Sequence, residues 1–246
     1  MKRSREEEAK DVDLLPNDTI VGFNLLSRSS LVGEMRAIMR HHLYSVIENR
    51  SIVDQQLFEC RDEGLLRILD AGIEEIIVKE SDFRKNILIR ATNSEDSETK
   101  LILRMFANDV LKAEKGKYVD QNVLNEMLPS KWCSVLSITG YLTKHRGDSY
   151  CFAFHGLCTY VSELHDCRKL ILETLHRKRN KEISTTEIKR VASNNNKKIA
   201  NTKSRKPNLA DASRRLGIDF HIMDLVESGN VRCIDIGNVH ILKNVT

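Results

Sequence analysis

Apolar and polar positions along the chain follow an order that occurs three times: an amphipathic helical stretch, a glycine, a short β-prone run, a tight turn and a second β-prone run. In the first occurrence, residues 52–63 lead to Gly64, the run 65–69, the turn Asp70-Ala71-Gly72 and the run 74–79. In the second, 131–139 leads to Gly140, 141–145, the turn Arg146-Gly147-Asp148 and 149–154. In the third, 220–228 leads to Gly229, 230–235, a turn at Gly237-Asn238 and 239–243. The three glycines are 76 and 89 residues apart, a spacing that suits small modules able to fold on their own cores.

Each part of the pattern has a cause. Glycine enters the left-handed conformation that ends a helix without steric cost, so the chain can reverse into a strand. The paired runs are rich in Val, Ile, Leu and aromatic residues and are broken by glycine-containing turns, as in a β-hairpin. Further helical stretches at 33–47, 98–113 and 157–179 lie upstream of the three units. Helix, helix, helix, hairpin is the order of the winged-helix variant of the helix-turn-helix, whose last helix often enters the DNA major groove. The expected fold is therefore α+β, mostly helical, with three tandem winged-helix domains at 18–93, 94–156 and 157–246. Residues 1–17 are expected to be a disordered tail, and the third domain to include a long connecting helix and a basic loop at 194–208. A helix followed by a hairpin also occurs in other α+β domains, and winged helices also serve as protein-docking modules, so the fold alone does not establish a ligand.

Charge changes the picture. The net charge of +4 is unevenly distributed: residues 161–246 hold 17 Lys+Arg against 10 Asp+Glu, leaving −3 for the first 160. Residues 177–206 alone carry 11 basic side chains against Glu182 and Glu187, a density that a polyanion would neutralise. The expected nucleic-acid-binding residues are Arg177, Lys178, Arg179 and Lys181 at the end of the long helix, then Lys189 and Arg190. They continue with Lys203, Arg205, Lys206, Arg214 and Arg215 before the last helix, and Lys131, Lys144 and Arg146 extend the path onto the second unit. In the first unit Arg36, Arg40, His41, His42 and Arg50 alternate with acids, which points to protein docking there. An aromatic fraction of 5% disfavours a stacking platform for single strands and favours contact with duplex phosphates. The basic loop suits nucleic-acid binding and nuclear import equally.

No apolar run approaches membrane-spanning length, and the first ten residues lack the apolar stretch of a secretory signal, so a soluble intracellular protein is expected. Six cysteines without a CxxC pair suggest buried thiols in a reducing compartment. Cys151, His155, Cys158, His165 and Cys167 crowd one span, but a strand cysteine and a helix-starting cysteine do not form the tight pairs of a structural zinc site, and no metal or cofactor is expected. Kinase chemistry lacks its parts. Ile76-Ile77-Val78-Lys79 imitates a lysine strand without a preceding glycine-rich loop, and His145-Arg146-Gly147-Asp148 imitates a catalytic loop but sits on a hairpin turn with no DFG after it. No catalytic residues are expected.

Three long segments, RRLGIDFHIMDLVESGNVRCIDIGNVHIL (214–242), LYSVIENRSIVDQQLFECRDEGLLRILDAG (43–72) and SVLSITGYLTKHRGDSYCFAFHG (134–156), resemble the serine/threonine-protein kinase 19 family, in the same order and over most of the chain from about residue 31. That resemblance implies three winged helices without a kinase fold, binding of double-stranded DNA and RNA through basic surfaces, nuclear location, and a role in transcription-coupled nucleotide excision repair beside stalled RNA polymerase. The implied partners are transcription and repair complexes, with homodimerisation left open. The alternative is a winged-helix scaffold joining proteins, with only incidental nucleic-acid affinity. The basic C-terminal third favours the first reading.

Overall fold

The computed structural model describes residues 17–28, 31–32, 35–72, 74–194, 216–237 and 239–245; the expected tail up to residue 16 and the basic loop after Asn194 lie outside these. One topology recurs three times: helix, strand, two helices, hairpin. The first unit comprises α1 (Asp18–Leu26), β2 (Met35–Met39), α2 (Arg40–Val46), α3 (Arg50–Asp62) and the hairpin β3 (Leu66–Asp70) and β4 (Glu75–Lys79), with a two-residue β1 (Leu31–Val32) on its edge. After α4 (Glu80–Asn93), the second begins with α5 (Ser97–Met105), which runs through a π-helical turn at Phe106–Val110 into α6 (Leu111–Ala113). It continues through β5 (Tyr118–Asp120), α7 (Gln121–Met127), α8 (Trp132–Thr139), β6 (Leu142–Lys144) and β7 (Ser149–Phe152). The third consists of α9 (Leu157–His176), β8 (Glu182–Ser184), α10 (Thr185–Asn194), α11 (Ile218–Glu227), β9 (Val231–Ile236) and β10 (Val239–Asn244). In each sheet the last strand of the hairpin lies between its partner and the early strand, giving the orders β1-β2-β4-β3, β5-β7-β6 and β8-β10-β9, all antiparallel.

Local chemistry sets these boundaries. The side chains of Asn17, Asn49, Asp96 and Asp120 accept backbone N–H bonds at the starts of α1, α3, α5 and α7, satisfying donors that the first turn leaves open. Gly64, Gly140 and Gly229 have φ of 74°, 79° and 77°, so the helix before each hairpin ends in the left-handed region as the sequence pattern requires. The stretch 33–47, expected to be one helix, instead divides: Met35–Met39 is a strand paired with β4, and the helix begins at Arg40. Met35-Arg36-Ala37-Ile38-Met39, apolar except for the exposed Arg36, fits a largely buried strand as well as a helix, and periodicity alone does not separate them.

That first sheet is covered on both sides. Ile38, Ile68 and Ile77 pack with Phe23, Leu43, Val53 and Leu57 of the helices on one face. Met39, Leu69, Ile76 and Val78 turn to the other, joining Phe83 and Ile87 of α4 and the core of the second unit. Alternation with period two thus sends neighbouring side chains into two different cores. The β3–β4 hairpin, the candidate wing of the first unit, separates two cores, which explains the apolar run Ile76-Ile77-Val78 on β4 and the burial of Leu66, Ile68 and Leu69 on β3. The third unit has its own core, built on Cys167, Ile171, Leu175, Ile183, Ile188, Leu225 and Leu242.

Two buried ionic clusters tie the units together. Arg67, 1% exposed, reaches from β3 to Glu80 at the start of α4 (2.6 and 3.1 Å) and donates to the carbonyls of Leu111 (2.9 Å) and Glu114 (3.1 Å). Its guanidinium lies 4.6 Å from the Phe152 ring centroid. One side chain therefore caps a helix C-terminus of the second unit while anchored in the first.

The second cluster joins the first and third units around Asp224 of α11, which is fully buried. Its carboxylate accepts from Arg168 Nε (2.5 Å) and Nη2 (2.8 Å), and from His41 Nε2 (3.0 Å) and His42 Nε2 (2.9 Å). Arg168 also donates to Glu74 (2.7 Å), and His41 Nδ1 lies 3.4 Å from that carboxylate. Burial opposes ionisation of Asp224, yet Arg168 and the two histidines hold its carboxyl far below the usual range. Burial likewise opposes a charge on His41, but its bonds to Asp224 and Glu74 raise it to about 9. His42 goes the other way: burial, with the charges of His41 and Arg168 beside it, lowers its pKa. It is then the neutral imidazole, with Nε2–H donating to Asp224 and Nδ1 3.4 Å from the Met39 N–H that donates to it.

A pH dependence follows. Because the pKa of His41 is higher in the folded chain, its stabilisation is complete below its ordinary 6.5 and is lost as pH rises through about 9. Glu74 is held near 2 by His41, against burial and with help from Arg168, so its share is present above about 4.5 and lost on acidification toward 2. Stability should fall by on the order of 3 kcal/mol between pH 6.5 and 9. Urea unfolding across that range checks this: His41→Gln is expected to flatten the alkaline limb, and an unchanged limb would remove His41 as its cause.

Candidate nucleic-acid interface

Arg177, Lys178, Arg179 and Lys181 occupy the turn between α9 and β8, where the long helix ends at His176. The turn is tight enough to place Lys181 at a positive φ of 53°. Arg177, Arg179 and Lys181 are exposed, and α10 presents Lys189 and Arg190, also exposed, from the next helix. Lys178 and Arg179 share the lining of one open cleft with Val239 and Ile241 of β10, so this turn faces the second strand of the third hairpin.

Several of these cations have acidic neighbours. Arg177 lies 3.5 Å from Glu173, Lys178 2.7 Å from Glu187 and Lys189 2.6 Å from Asp219. Such exposed pairs are worth little and exchange readily for a phosphate. Lys203, Arg205, Lys206, Arg214 and Arg215 lie outside the described residues.

The residues expected to extend the path sit elsewhere. Lys131 starts α8 and is bonded to Glu98 at 2.6 Å. Lys144 lies on β6 with its ammonium 4.5 Å from the Tyr150 ring centroid, and Arg146 is exposed at the hairpin tip. Arg146 lines a cleft of about 850 Å³ with Tyr118, His145 and the first half of α9, as far as His165. From His165 to Arg177 the helix rises about 18 Å, so the second hairpin and the turn form two separate basic positions.

The helix before each hairpin does not carry the basic face that major-groove reading by that helix would need. The last one, α11, has no lysine or arginine, and its Asp224 is sunk against His41 and His42 of the first unit. α8 exposes Cys133, Ser134, Ser137 and Ile138, the last 82% exposed. α3 exposes Ile52, Gln55, Phe58 and Glu59 between two scattered cations, Arg50 at its start and Arg61, which lies over Phe58 and pairs with Asp62.

A basic surface that sequence reasoning missed lies between the first and second units. Arg36, Lys79 and Lys85 line one cavity of about 390 Å³. Lys85 also belongs to a second, of about 530 Å³, with Arg84, Lys112 and Lys115. Asp82 faces the first of these, and Glu63 and Glu80 the second, but Glu80 is already held by Arg67. These residues are spread from 36 to 115, so no window of the sequence shows the cluster. Lys79, the lysine of the kinase-like IIVK run, is one of them.

Three helix-and-hairpin units with antiparallel sheets and surface-borne basic clusters define an α+β protein. The chain belongs to the inactive serine-threonine protein kinase 19 family, whose model matches residues 24–240. It is also similar to winged helix repair factor 1 of Xenopus laevis, 24% identical over 209 residues that cover 83% of this chain and 73% of that protein.

Proposed function

We propose that this chain is a non-catalytic nuclear protein of three tandem winged helices that binds double-stranded DNA, and RNA, without base specificity, and acts in transcription-coupled nucleotide excision repair beside stalled RNA polymerase. The observation that carries the binding is the crowding of exposed Arg177, Arg179, Lys181, Lys189 and Arg190 on one turn and the helix after it. Support for the winged-helix reading comes from the recurrent strand order, with the second hairpin strand in the middle of each sheet. The repair role rests on the similar frog protein, whose name describes a winged helix repair factor. Contact is through phosphates, since the helices before the hairpins carry few cations and one is buried in an interface.

The charge reversal Arg177→Glu, Arg179→Glu, Lys189→Glu and Arg190→Glu is expected to weaken binding to a mixed-sequence duplex by about 100-fold or more at low salt. Fluorescence anisotropy of a labelled duplex measures it, with Lys131→Glu as a control expected to bind like the wild type. Equal affinities for wild type and the four-residue variant would move the site off the third unit. The exposed apolar side chains of α3 and α8, Ile52, Phe58 and Ile138, favour a second role for the first two units, as docking faces for proteins of a repair complex.

A further inference from the structure

Among the described residues, ligating atoms from three histidine, cysteine or acidic side chains converge in two places. The first is the Asp224 cluster. There both carboxylate oxygens already accept from Arg168, and Oδ1 also takes bonds from two histidines, so a divalent cation would be placed beside a buried guanidinium. That cluster is an ionic interlock and has no room in its charge balance for a metal.

The second lies on the third hairpin. Cys233 and Asp235 are two apart on β9 and so share a face, and the register pairs Asp235 with His240 across the ladder. The base of this face is in the core: Leu242, opposite Cys233, is 1% exposed, as is Val231. Toward the tip the hairpin runs past the core, and Cys233, Asp235 and His240 are all exposed. His240 Nδ1 is 2.5 Å from Asp235 Oδ1, Cys233 Sγ is 3.9 Å from the same oxygen, and all three ligand atoms lie within 4.8 Å of one another. Among the described residues no lysine or arginine forms an ion pair with Asp235.

We propose that Cys233, Asp235 and His240 form a three-ligand Zn²⁺ site on the third hairpin, with water in the fourth position. Sulfur, imidazole nitrogen and carboxylate oxygen are the donor set that zinc accepts. Metal–ligand bonds of about 2.0–2.3 Å in a tetrahedron put the donors roughly 3.3–3.7 Å apart, so donors that now lie between 2.5 and 4.8 Å apart need shifts on the order of 1 Å. Two strands of a paired ladder hold the ligands, and solvent reaches all three. On binding, the Cys233 S–H proton passes to solvent as the sulfur–zinc bond forms, and no redox change occurs. The open position makes the site able to take a ligand from a second molecule. Cysteine and histidine stand seven residues apart here, on opposite strands, which is why a search for close cysteine pairs in the sequence passes over them.

The test uses the full, reduced chain. Zn²⁺ is titrated in competition with a chromophoric chelator, and Co²⁺ replaces it to read the thiolate-to-cobalt charge-transfer band. The expected result is one metal per chain, with Cys233→Ser and His240→Gln each weakening it by about 10-fold or more and Cys233→Ser abolishing the band. Cys133→Ser and Cys158→Ser, which change the other exposed cysteines, should leave both readouts intact. Melts of the metal-free variants should match the wild type, since the ligands lie outside the core. The proposal is overturned if binding is not stoichiometric, if the band survives Cys233→Ser, or if the affinity is insensitive to His240→Gln.

Discussion

Asp224→Ala is expected to destabilise the protein by about 3–5 kcal/mol, the cost of leaving buried charges without their counter-ion. The substitution removes the acceptor shared by Arg168, His41 and His42 and leaves Glu74 as the remaining carboxylate at hydrogen-bond distance from Arg168. His42 Nε2, fully buried, would then have its nearest carboxylate at Glu227, 3.9 Å away. Asp224→Asn keeps an acceptor but not the charge, so its loss should be intermediate. Urea unfolding at pH 7 measures both. The alkaline limb of stability should shrink with them, because His41 loses the first of the two carboxylates that raise its pKa. A loss below about 1 kcal/mol for Asp224→Ala would mean that the joint between the first and third units contributes little to stability.

The second large effect is expected at Arg67. Arg67→Ala removes the two bonds to Glu80, uncaps the carbonyls of Leu111 and Glu114 and opens a gap against Phe152, and a loss of about 3–5 kcal/mol follows. Arg67→Met separates packing from polarity: it refills most of the volume but leaves the carboxylate and the carbonyls without their donor. If Met restores most of the stability, packing on Phe152 dominates; if it resembles Ala, the polar contacts do. The effect should also spread to the second unit, since Leu111 and Glu114 end its first helical segment. Hydrogen exchange at Lys112 to Gly116 should rise in both variants, and protection unchanged there would contradict the capping role.

Much of this architecture is legible in the sequence because it is local. The helix, glycine and hairpin of each unit are written within about thirty residues, and the observed strands β3, β4, β6, β7, β9 and β10 fall within a residue or two of the expected runs. The strands that complete each sheet were not legible. Tyr118–Asp120 and Glu182–Ser184 are three residues long, and Met35–Met39 is apolar enough to read as helix. The faces between units were hidden for a different reason. His41, Arg168 and Asp224 are separated by more than fifty residues at each step, and only folding makes them neighbours. The same holds for the basic surface of Arg36, Lys79, Lys85 and Lys112, assembled from β2, β4, α4 and α6. The last helix, by contrast, offers no groove-reading face of its own: Asp224 and Phe220 are buried, and the helix has no lysine or arginine.

The function proposed above places nucleic-acid phosphates on the basic turn and α10 of the third unit. It is tested most directly by the salt dependence of duplex binding in the wild type and in the Arg177, Arg179, Lys189, Arg190 to Glu variant. Each neutralised phosphate contributes about 0.9 to the slope of log affinity against log salt. A steep wild-type slope that falls by about 2 to 4 in the variant, with the melting profile preserved, is the expected result. Equal slopes in the two proteins would contradict it.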